Sequence, residues 1–387
     1  MRLGIELFGL RHVALRADGP PSRQHVGIVG FGERECDGPL RAVVGAGQWG
    51  TTLALHLARS GPVTLLARDE AHARTLDADR ENRRYLPGHP LPPAVIVTAD
   101  PATVAEASDL VVLAVPAAGM RATAQRVAGA IPATASVLSV AKGLERDTLA
   151  RMTQVIATEV PAARDRVAAL SGPNLAAEIA RGLPAGAVVA AEDDAVASRI
   201  QGMVGTRLFR LYRNRDVTGV ELCGALKNIV AIAAGAADAL GFGDNGKAGL
   251  MTRGLAEMTR LGIAAGANPI TFAGLAGIGD VIATCDSPLS RNHQLGVELG
   301  KGRPWSEIEG TLPGVAEGAY TVDAALELAR RHGVEMPIAE EVHNVLFAGK
   351  SVRRALVDLL SREQKDELAD FESWLRRLVS GSSASRA

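Results

Sequence analysis

The sequence predicts an α/β protein, with a doubly wound, mostly parallel sheet followed by an all-helical region. Three observations carry this prediction. From Arg41 onward, short runs rich in β-branched residues alternate with helical stretches. A glycine-rich turn joins the first of these runs to the first helix. After about Asp216 the β-runs cease and long amphipathic helical patterns take over.

The runs are RAVVG, PVTLLA, AVIVT, LVVLAVP, SVLSVAKG, VAALSGP and GAVVA. They are apolar on both faces, as strands of a parallel sheet covered by helices on both sides must be. The change of rhythm places a boundary near Arg215. The expected organisation is an extension over residues 1–40, a nucleotide-binding domain over 41–215, a helical domain over 216–375 and a small polar tail over 376–387. Within the extension, VGIVGFGEREC imitates a dinucleotide turn, but Glu35 stands where the third glycine belongs. Both the extension and the tail are expected to be disordered.

Composition narrows the function classes. A chain of 387 residues exceeds one ordinary core, and 47% apolar with 22% charged residues is a globular composition. The 42 Lys and Arg nearly balance the 43 Asp and Glu, which speaks against a nucleic-acid partner or an anionic membrane surface. Cys36, Cys223 and Cys285 are odd in number and far apart, which fits reduced thiols and a cytoplasmic setting. The histidines show no metal-ligand spacing, so no metal is expected. The one long apolar window, about Val220 to Leu240, carries Glu221, Lys227, Asn228 and Asp238, so it reads as a buried core helix and no membrane insertion is expected.

AVVGAGQWGTTLALHLARSG sets Gly45, Gly47 and Gly50 in G-x-G-x-x-G spacing between an apolar strand and a helix, the context of the dinucleotide-binding (Rossmann) fingerprint. The first glycine makes the tight turn, the second admits the pyrophosphate, and the third lets helix and strand pack closely. The next strand ends in Arg68-Asp69. A guanidinium suits a 2′-phosphate and a carboxylate a 2′-hydroxyl, so NADPH is favoured over NADH, while a solvated surface charge is the bland alternative for Arg68.

Ligands of open α/β sheets lie beyond the carboxyl ends of the strands. Two runs end there in polar chemistry, Lys142-Gly143 and Ser171-Gly172-Pro173-Asn174. Each is ambiguous alone, since loop lysines are usually solvated. In GALKNIVAIAAGAADALGFG, Lys227 and Asp238 are eleven residues apart and share one helix face; Glu221 and Asn228, seven apart, share a neighbouring one. The polar stripe reads either as a structural ion pair or as a lysine lining a cleft, where desolvation suits an amine to acid/base work. Downstream, Asp280 sits in a glycine-rich turn. Ser290-Arg291-Asn292 opens a helix, either as a cap or as a phosphate clamp. Val315 and Glu317 acquire no role from spacing.

From about Arg41 to Leu360 the chain resembles the bacterial-type NAD(P)-dependent glycerol-3-phosphate dehydrogenases. The resemblance rests on VVGAGQWGTTLA, AKGLE, SGPNLAAE, GVELCGALKNIVAIAAG, TRGLAEMTRLG, GLAGIGD, SRNHQLG and GVEMPI, in this order. It implies reversible reduction of dihydroxyacetone phosphate to sn-glycerol 3-phosphate, which feeds phospholipid synthesis. It implies Lys227 as the catalytic proton donor and acceptor. Lys142, Gly172, Asn174, Lys227, Asp280, Ser290, Arg291 and Asn292 would then meet the substrate. Gly45, Gly47, Gln48, Trp49, Gly50, Arg68, Lys142, Ala176, Arg291, Val315 and Glu317 would meet NADPH or NADH. A homodimer is a further expectation. The sequence departs from the family pattern at Asn174-Leu175, where Thr/Ser-Phe is more usual, and at Ala316, where a larger aliphatic is common. Two rivals are a β-hydroxyacid dehydrogenase, which would lack a phosphate clamp, and a cofactor-binding sensor without catalysis, which would need neither Lys227 nor Asp280.

Overall fold

A computed structural model describes residues 40–363, except 108, 312 and 313. The extension expected over residues 1–40 (all but Leu40), the end of the expected helical domain (364–375) and the tail expected over 376–387 lie outside the described residues.

The first half alternates strand and helix: β1 (Arg41–Val44), α1 (Gln48–Leu57), β2 (Val63–Leu66), α2 (Glu70–Asp79), β3 (Val95–Thr98), β4 (Leu110–Leu113), α3 (Met120–Val127), β5 (Ser136–Ser139), α4 (Met152–Glu159), β6 (Val167–Ser171), α5 (Ala176–Ala180), β7 (Ala185–Ala190), α6 (Asp194–Val204) and β8 (Phe209–Asn214). The strands form one sheet in the order β3-β2-β1-β4-β5-β6-β7-β8. Every pairing is parallel except β6 with β7. Strand order reverses between β1 and β4, the point where doubly wound sheets open a ligand crevice.

The doubly apolar strands bury both faces except at the edge of the sheet formed by β3, the outermost strand there, which leaves Ile96 exposed. Val43, Leu65, Val112 and Leu138 enter one apolar cluster, while Val44, Leu66, Leu113 and Val137 enter another. The eighth strand, FRLYRN, is not among the runs that the sequence marks. Phe209 and Leu211 are buried while Arg210 and Tyr212 are exposed, so it alternates as an edge strand with one solvated face.

The second half is helical: α7 (Val217–Ala239), α8 (Gly243–Ala264), α9 (Pro269–Phe272), α10 (Asp280–Asp286), α11 (Arg291–Gly300), α12 (Trp305–Ile308), α13 (Glu317–His332), α14 (Pro337–Phe347) and α15 (Val352–Leu360). Among the described residues α7 is the one straight helix long and apolar enough to cross a membrane, and 94% of its most apolar window is buried inside the protein. It forms the axle of the helical core, with Leu226, Ile229 and Ile232 packed among Met258, Leu295 and Val322. Leu144, Ala169 and Val188, from the sheet half, join the same cluster, so the two halves share apolar packing.

Glycine explains how closely α7 and α11 approach. A Cβ on Gly235 would lie 2.0 Å from the His293 carbonyl oxygen, and one on Gly296 would lie 1.9 Å from that of Ile232. The two backbones therefore cross in direct contact, which fixes the Ser290–Asn292 end of α11 against the helix carrying Lys227. Gly296→Ala should force them apart. Overpacking of this kind costs about 1–3 kcal/mol, read as a lower midpoint in thermal or chemical unfolding; an unchanged midpoint would show that the crossing has slack.

Candidate active site

The glycine turn has the geometry that its spacing predicts. Gly45 adopts φ +112°, open to glycine but strained for other residues, and a Cβ there would lie 2.5 Å from the Ala114 carbonyl oxygen. A Cβ on Gly50 would lie 1.8 Å from the Gly45 carbonyl oxygen, so helix and strand touch. A Cβ on Gly47 would meet nothing within 4 Å, leaving room for a ligand to approach the backbone. Gly47 precedes α1 with no side-chain cap, so the first-turn N–H groups remain available to an anion. The buried Trp49 Nε1 has no protein partner. This cradle fits a dinucleotide pyrophosphate.

Arg68, at the end of β2, has a side chain 77% exposed, and its Nε donates to Asp69 Oδ2 at 3.1 Å. The other Asp69 oxygen caps α2 through the His72 N–H at 2.8 Å. The carboxylate that suits a ribose hydroxyl is thus already engaged twice.

At the carboxyl ends of β5 and β6 the sheet meets the helical half. Lys142 Nζ donates to the Gly172 carbonyl at 2.9 Å, to Asn174 Oδ1 at 2.6 Å and to Asp280 Oδ2 at 2.8 Å. Lys227 Nζ, from α7, donates to the other Asp280 oxygen at 2.6 Å and to Thr284 Oγ1 at 2.5 Å. One carboxylate therefore bridges two ammonium groups. Asp280 and Lys227 are 1% and 5% exposed, so this is a buried triad. Burial raises the Asp280 pKa, but the two lysines outweigh it and hold the group below its usual value. Burial drives the Lys142 pKa down to about 8, against the pull of Asp280 and with the repulsion of Lys227.

Asp280 is delivered by an unusual backbone. Directly before α10 the chain makes a wide π-type turn over Leu275–Gly279, in which Gly277 leaves helical angles (φ −88°, ψ −105°). A Cβ on Gly277 would lie 2.0 Å from the Phe272 carbonyl oxygen, so only glycine fits. Such bulges occur frequently at functional sites.

A chain of amides surrounds the triad. Asn228 Nδ2 donates to the Lys142 carbonyl at 3.2 Å, and Asn292 Nδ2 donates to Asn228 Oδ1 at 2.9 Å. Asn292 Oδ1 accepts the Gly318 N–H at 2.9 Å, which anchors the start of α13. Next to it Glu317 accepts the Ala117 N–H at 3.2 Å; burial raises its pKa above the usual carboxylate value. Ser290 caps α11 by accepting the His293 N–H at 3.2 Å. The Arg291 guanidinium makes no hydrogen bond or ion pair among the described residues. Asn174 Nδ2 and Ser171 Oγ are buried without partners.

Lys142, Gly172, Asn174, Lys227 and Asp280 thus form one hydrogen-bonded group, and Asn292 and Glu317 sit in the adjoining network. Ala176 ties α5 to α1, its carbonyl accepting from Thr52 Oγ1 at 3.3 Å. Val315 is 38% exposed and, like Arg68, makes no bond to the triad. The polar stripe of α7 divides between partners: Asp238 pairs with Lys247 and His293, and Glu221 with Arg151. One participant has no place in the sequence reading, Thr284. Thr284 stands four residues after Asp280, the spacing that puts both on one helix face.

A strand-turn-helix cradle for a dinucleotide, set beside a buried amine pair at the strand ends, defines a two-part nicotinamide-dependent oxidoreductase. Two family models match the chain, the NAD-dependent glycerol-3-phosphate dehydrogenase N-terminus over residues 41–197 and the C-terminus over 216–357. The chain is 46% identical over 330 residues to a glycerol-3-phosphate dehydrogenase [NAD(P)+] of Desulfitobacterium hafniense, covering 85% of this chain and 93% of the relative. It is equally similar, at 46% over 331 residues, to a Streptomyces avermitilis enzyme of the same name, covering 85% and 98%. The crystal structure of a Coxiella burnetii glycerol-3-phosphate dehydrogenase superposes with a TM-score of 0.79 at 36% identity, covering 84% of this chain and 99% of that one. The chain belongs to the NAD-dependent glycerol-3-phosphate dehydrogenase family, and NADH or NADPH is its cofactor.

The triad yields a prediction of its own. Asp280→Asn leaves two buried lysines without a counter-charge, and breaking a buried pair from one side costs about 3–5 kcal/mol. Because the folded-state pKa of Asp280 is lowered, its contribution is present above the ordinary carboxylate pKa and lost as pH falls through the folded value. Denaturant unfolding should therefore show a large gap between wild type and variant at neutral pH that narrows in acid. A gap independent of pH would contradict the charge assignment.

Proposed function

We propose that this chain catalyses the reaction of its family, reversible NAD(P)H-dependent reduction of dihydroxyacetone phosphate to sn-glycerol 3-phosphate, with Lys227 as the proton-transferring residue. The observation that carries the reading is the buried Lys142–Asp280–Lys227 triad at the carboxyl ends of β5 and β6. In this reading residues 41–215 bind the cofactor and 216–375 complete the substrate site.

The cofactor, when bound, supplies the hydride. Gly45, Gly47, Gln48, Trp49 and Gly50 hold its pyrophosphate at the start of α1, with Ala176, Val315 and Glu317 as further contacts. Arg68 favours NADPH, since Asp69 is committed to capping α2 and to Arg68 itself, leaving the terminal guanidinium nitrogens for a 2′-phosphate.

Charge develops on the ketone oxygen during reduction. An ammonium at Lys227 stabilises that charge and donates the proton; in oxidation its neutral amine accepts the proton of the alcohol. Asp280 and Thr284 fix the direction of the amine. Lys142, Gly172 and Asn174 line the same pocket, and the unpartnered Asn174 Nδ2 is a donor ready for a substrate oxygen. Arg291, in the first turn of α11 and without a hydrogen bond or ion pair among the described residues, suits the phosphate, with Ser290 and Asn292 shaping that corner. A phosphate held away from the reacting carbon contributes binding energy to orientation. A guanidinium in the first turn of α11 favours a phosphorylated substrate over a β-hydroxy acid.

The product is the backbone from which glycerophospholipids are built. A cytoplasmic setting is supported by the free, buried thiols Cys223 and Cys285. A homodimer is the assembly proposed from the family resemblance; sedimentation velocity checks it, and a monomer would contradict it.

The assay is oxidation of NADPH on addition of dihydroxyacetone phosphate, with dihydroxyacetone and β-keto acids as controls. Only the phosphorylated ketone should turn over efficiently. Lys227→Ala should lower kcat by roughly 10²–10⁴-fold, the range for loss of a general acid, while NADPH titration still shows binding. Undiminished turnover in that variant would refute the assignment.

A further inference from the structure

Between β5 and α4 the chain makes an excursion over residues 142–151 that begins with Lys142. Its apolar residues Leu144 and Leu149 are buried in the core of the helical half, in the cluster that contains Val220, Cys223 and Leu226 of α7. The excursion closes on itself: Leu144 bridges Arg151, the Glu145 N–H donates to the Ala150 carbonyl at 2.9 Å, and the Leu149 N–H donates to the Glu145 carbonyl at 2.8 Å. This closure puts Leu149 at φ +62°, in the left-handed region that non-glycine residues avoid. Backbone strain of that kind persists where the surroundings over-determine it.

The strongest restraint is a buried carboxylate. Glu221 of α7, with a side chain 4% exposed, accepts from Arg151 Nη1 at 2.6 Å, from Thr153 Oγ1 at 2.5 Å and from the Thr153 N–H at 2.9 Å. Two further ties, Arg121 to Glu145 and Arg146 to Asp323, involve side chains with more solvent exposure. Glu221 precedes Lys227 by six residues on one uninterrupted helix, a separation of about 9 Å along the axis. The helix that carries one lysine of the triad thus grips the end of the strap that carries the other.

We propose that Glu221 is a positioning residue, which locks the 142–151 strap to α7 and so holds the Lys142 amine in register with the Lys227–Asp280 pair. Glu221 lies outside the reacting group; it acts through Arg151, Thr153 and the strap. The assignment rests on the proposed function, with Lys227 as proton donor and Lys142 lining the pocket, and adds the element that sets their spacing.

Two variants of the full chain test it, Glu221→Gln, which removes the charge at nearly constant shape, and the milder Thr153→Val, which removes one of the three bonds. Kinetics are measured below the unfolding range of each. Misplacement of a reacting group by a remote change costs up to about 100-fold. The expected result is therefore a loss in kcat/KM for dihydroxyacetone phosphate of roughly 10- to 100-fold in Glu221→Gln and less in Thr153→Val. NADPH affinity should stay unchanged. The basic limb of the pH profile should move to higher pH as the loosened strap lets water reach the Lys142 amine, whose pKa burial holds down. Lower melting temperature with wild-type kinetics and an unmoved limb would overturn the proposal, since a merely structural role predicts that. If Glu221→Gln does not fold, Thr153→Val decides by the same readouts. Failure of the underlying reading looks different: full turnover in Lys227→Ala would overturn both, whatever the Glu221 variants do.

Discussion

One carboxylate between two ammonium groups is the constraint on which the rest of the site depends. Asp280 lies 2.8 Å from Lys142 and 2.6 Å from Lys227, with Asp280 and Lys227 buried and Lys142 partly so. Two unit charges 4 Å apart interact by about 4 kcal/mol at an effective dielectric of 20, so without Asp280 the two amines would repel. With it, each has a defined direction and at least one further acceptor. The fold can be read as the means of delivering three side chains from three places, a strand-end strap, a core helix and the exit of a π-type turn.

Each delivery relies on backbones in contact, and glycine permits it. Gly277 shapes the turn before Asp280, Gly235 and Gly296 bring α7 and α11 together, and a Cβ on Gly224 would lie 2.6 Å from Ser171 Oγ. Burial of α7 then turns an otherwise membrane-length helix into a rigid mount for Glu221, Lys227 and Asn228. The high glycine content, 42 residues, is thus part of the same design as the site.

Local patterns made much of this legible. Seven of the strands stand out as doubly apolar runs; in six of them burial on both faces explains the continuous signature, while β3 keeps it at the sheet edge with Ile96 exposed. The edge strand Phe209–Asn214 does not, since its charged outer face dilutes the apolar pattern. The glycine fingerprint, Lys142, Asn174, Lys227 and Asp280 could be named in advance because each sits at a strand end, on a helix face or in a turn of telling composition. Their convergence could not. Nothing in the spacing of Lys142 and Asp280 reveals that they share a hydrogen bond, nor that Arg151 meets Glu221. Asn292 illustrates the same limit. The sequence offers it as a substrate ligand, yet both ends of its amide are engaged with Asn228 and Gly318, which makes it a strut of the corner as well.

The most direct test of the central claim is a crystal structure of the ternary complex with cofactor and dihydroxyacetone phosphate. The account predicts the ketone oxygen within hydrogen-bond distance of Lys227 Nζ, with Asp280 still bridging the two lysines and the phosphate on the Arg291 side. A phosphate seated on Lys227, or a substrate bound elsewhere with the triad still sealed, would contradict it.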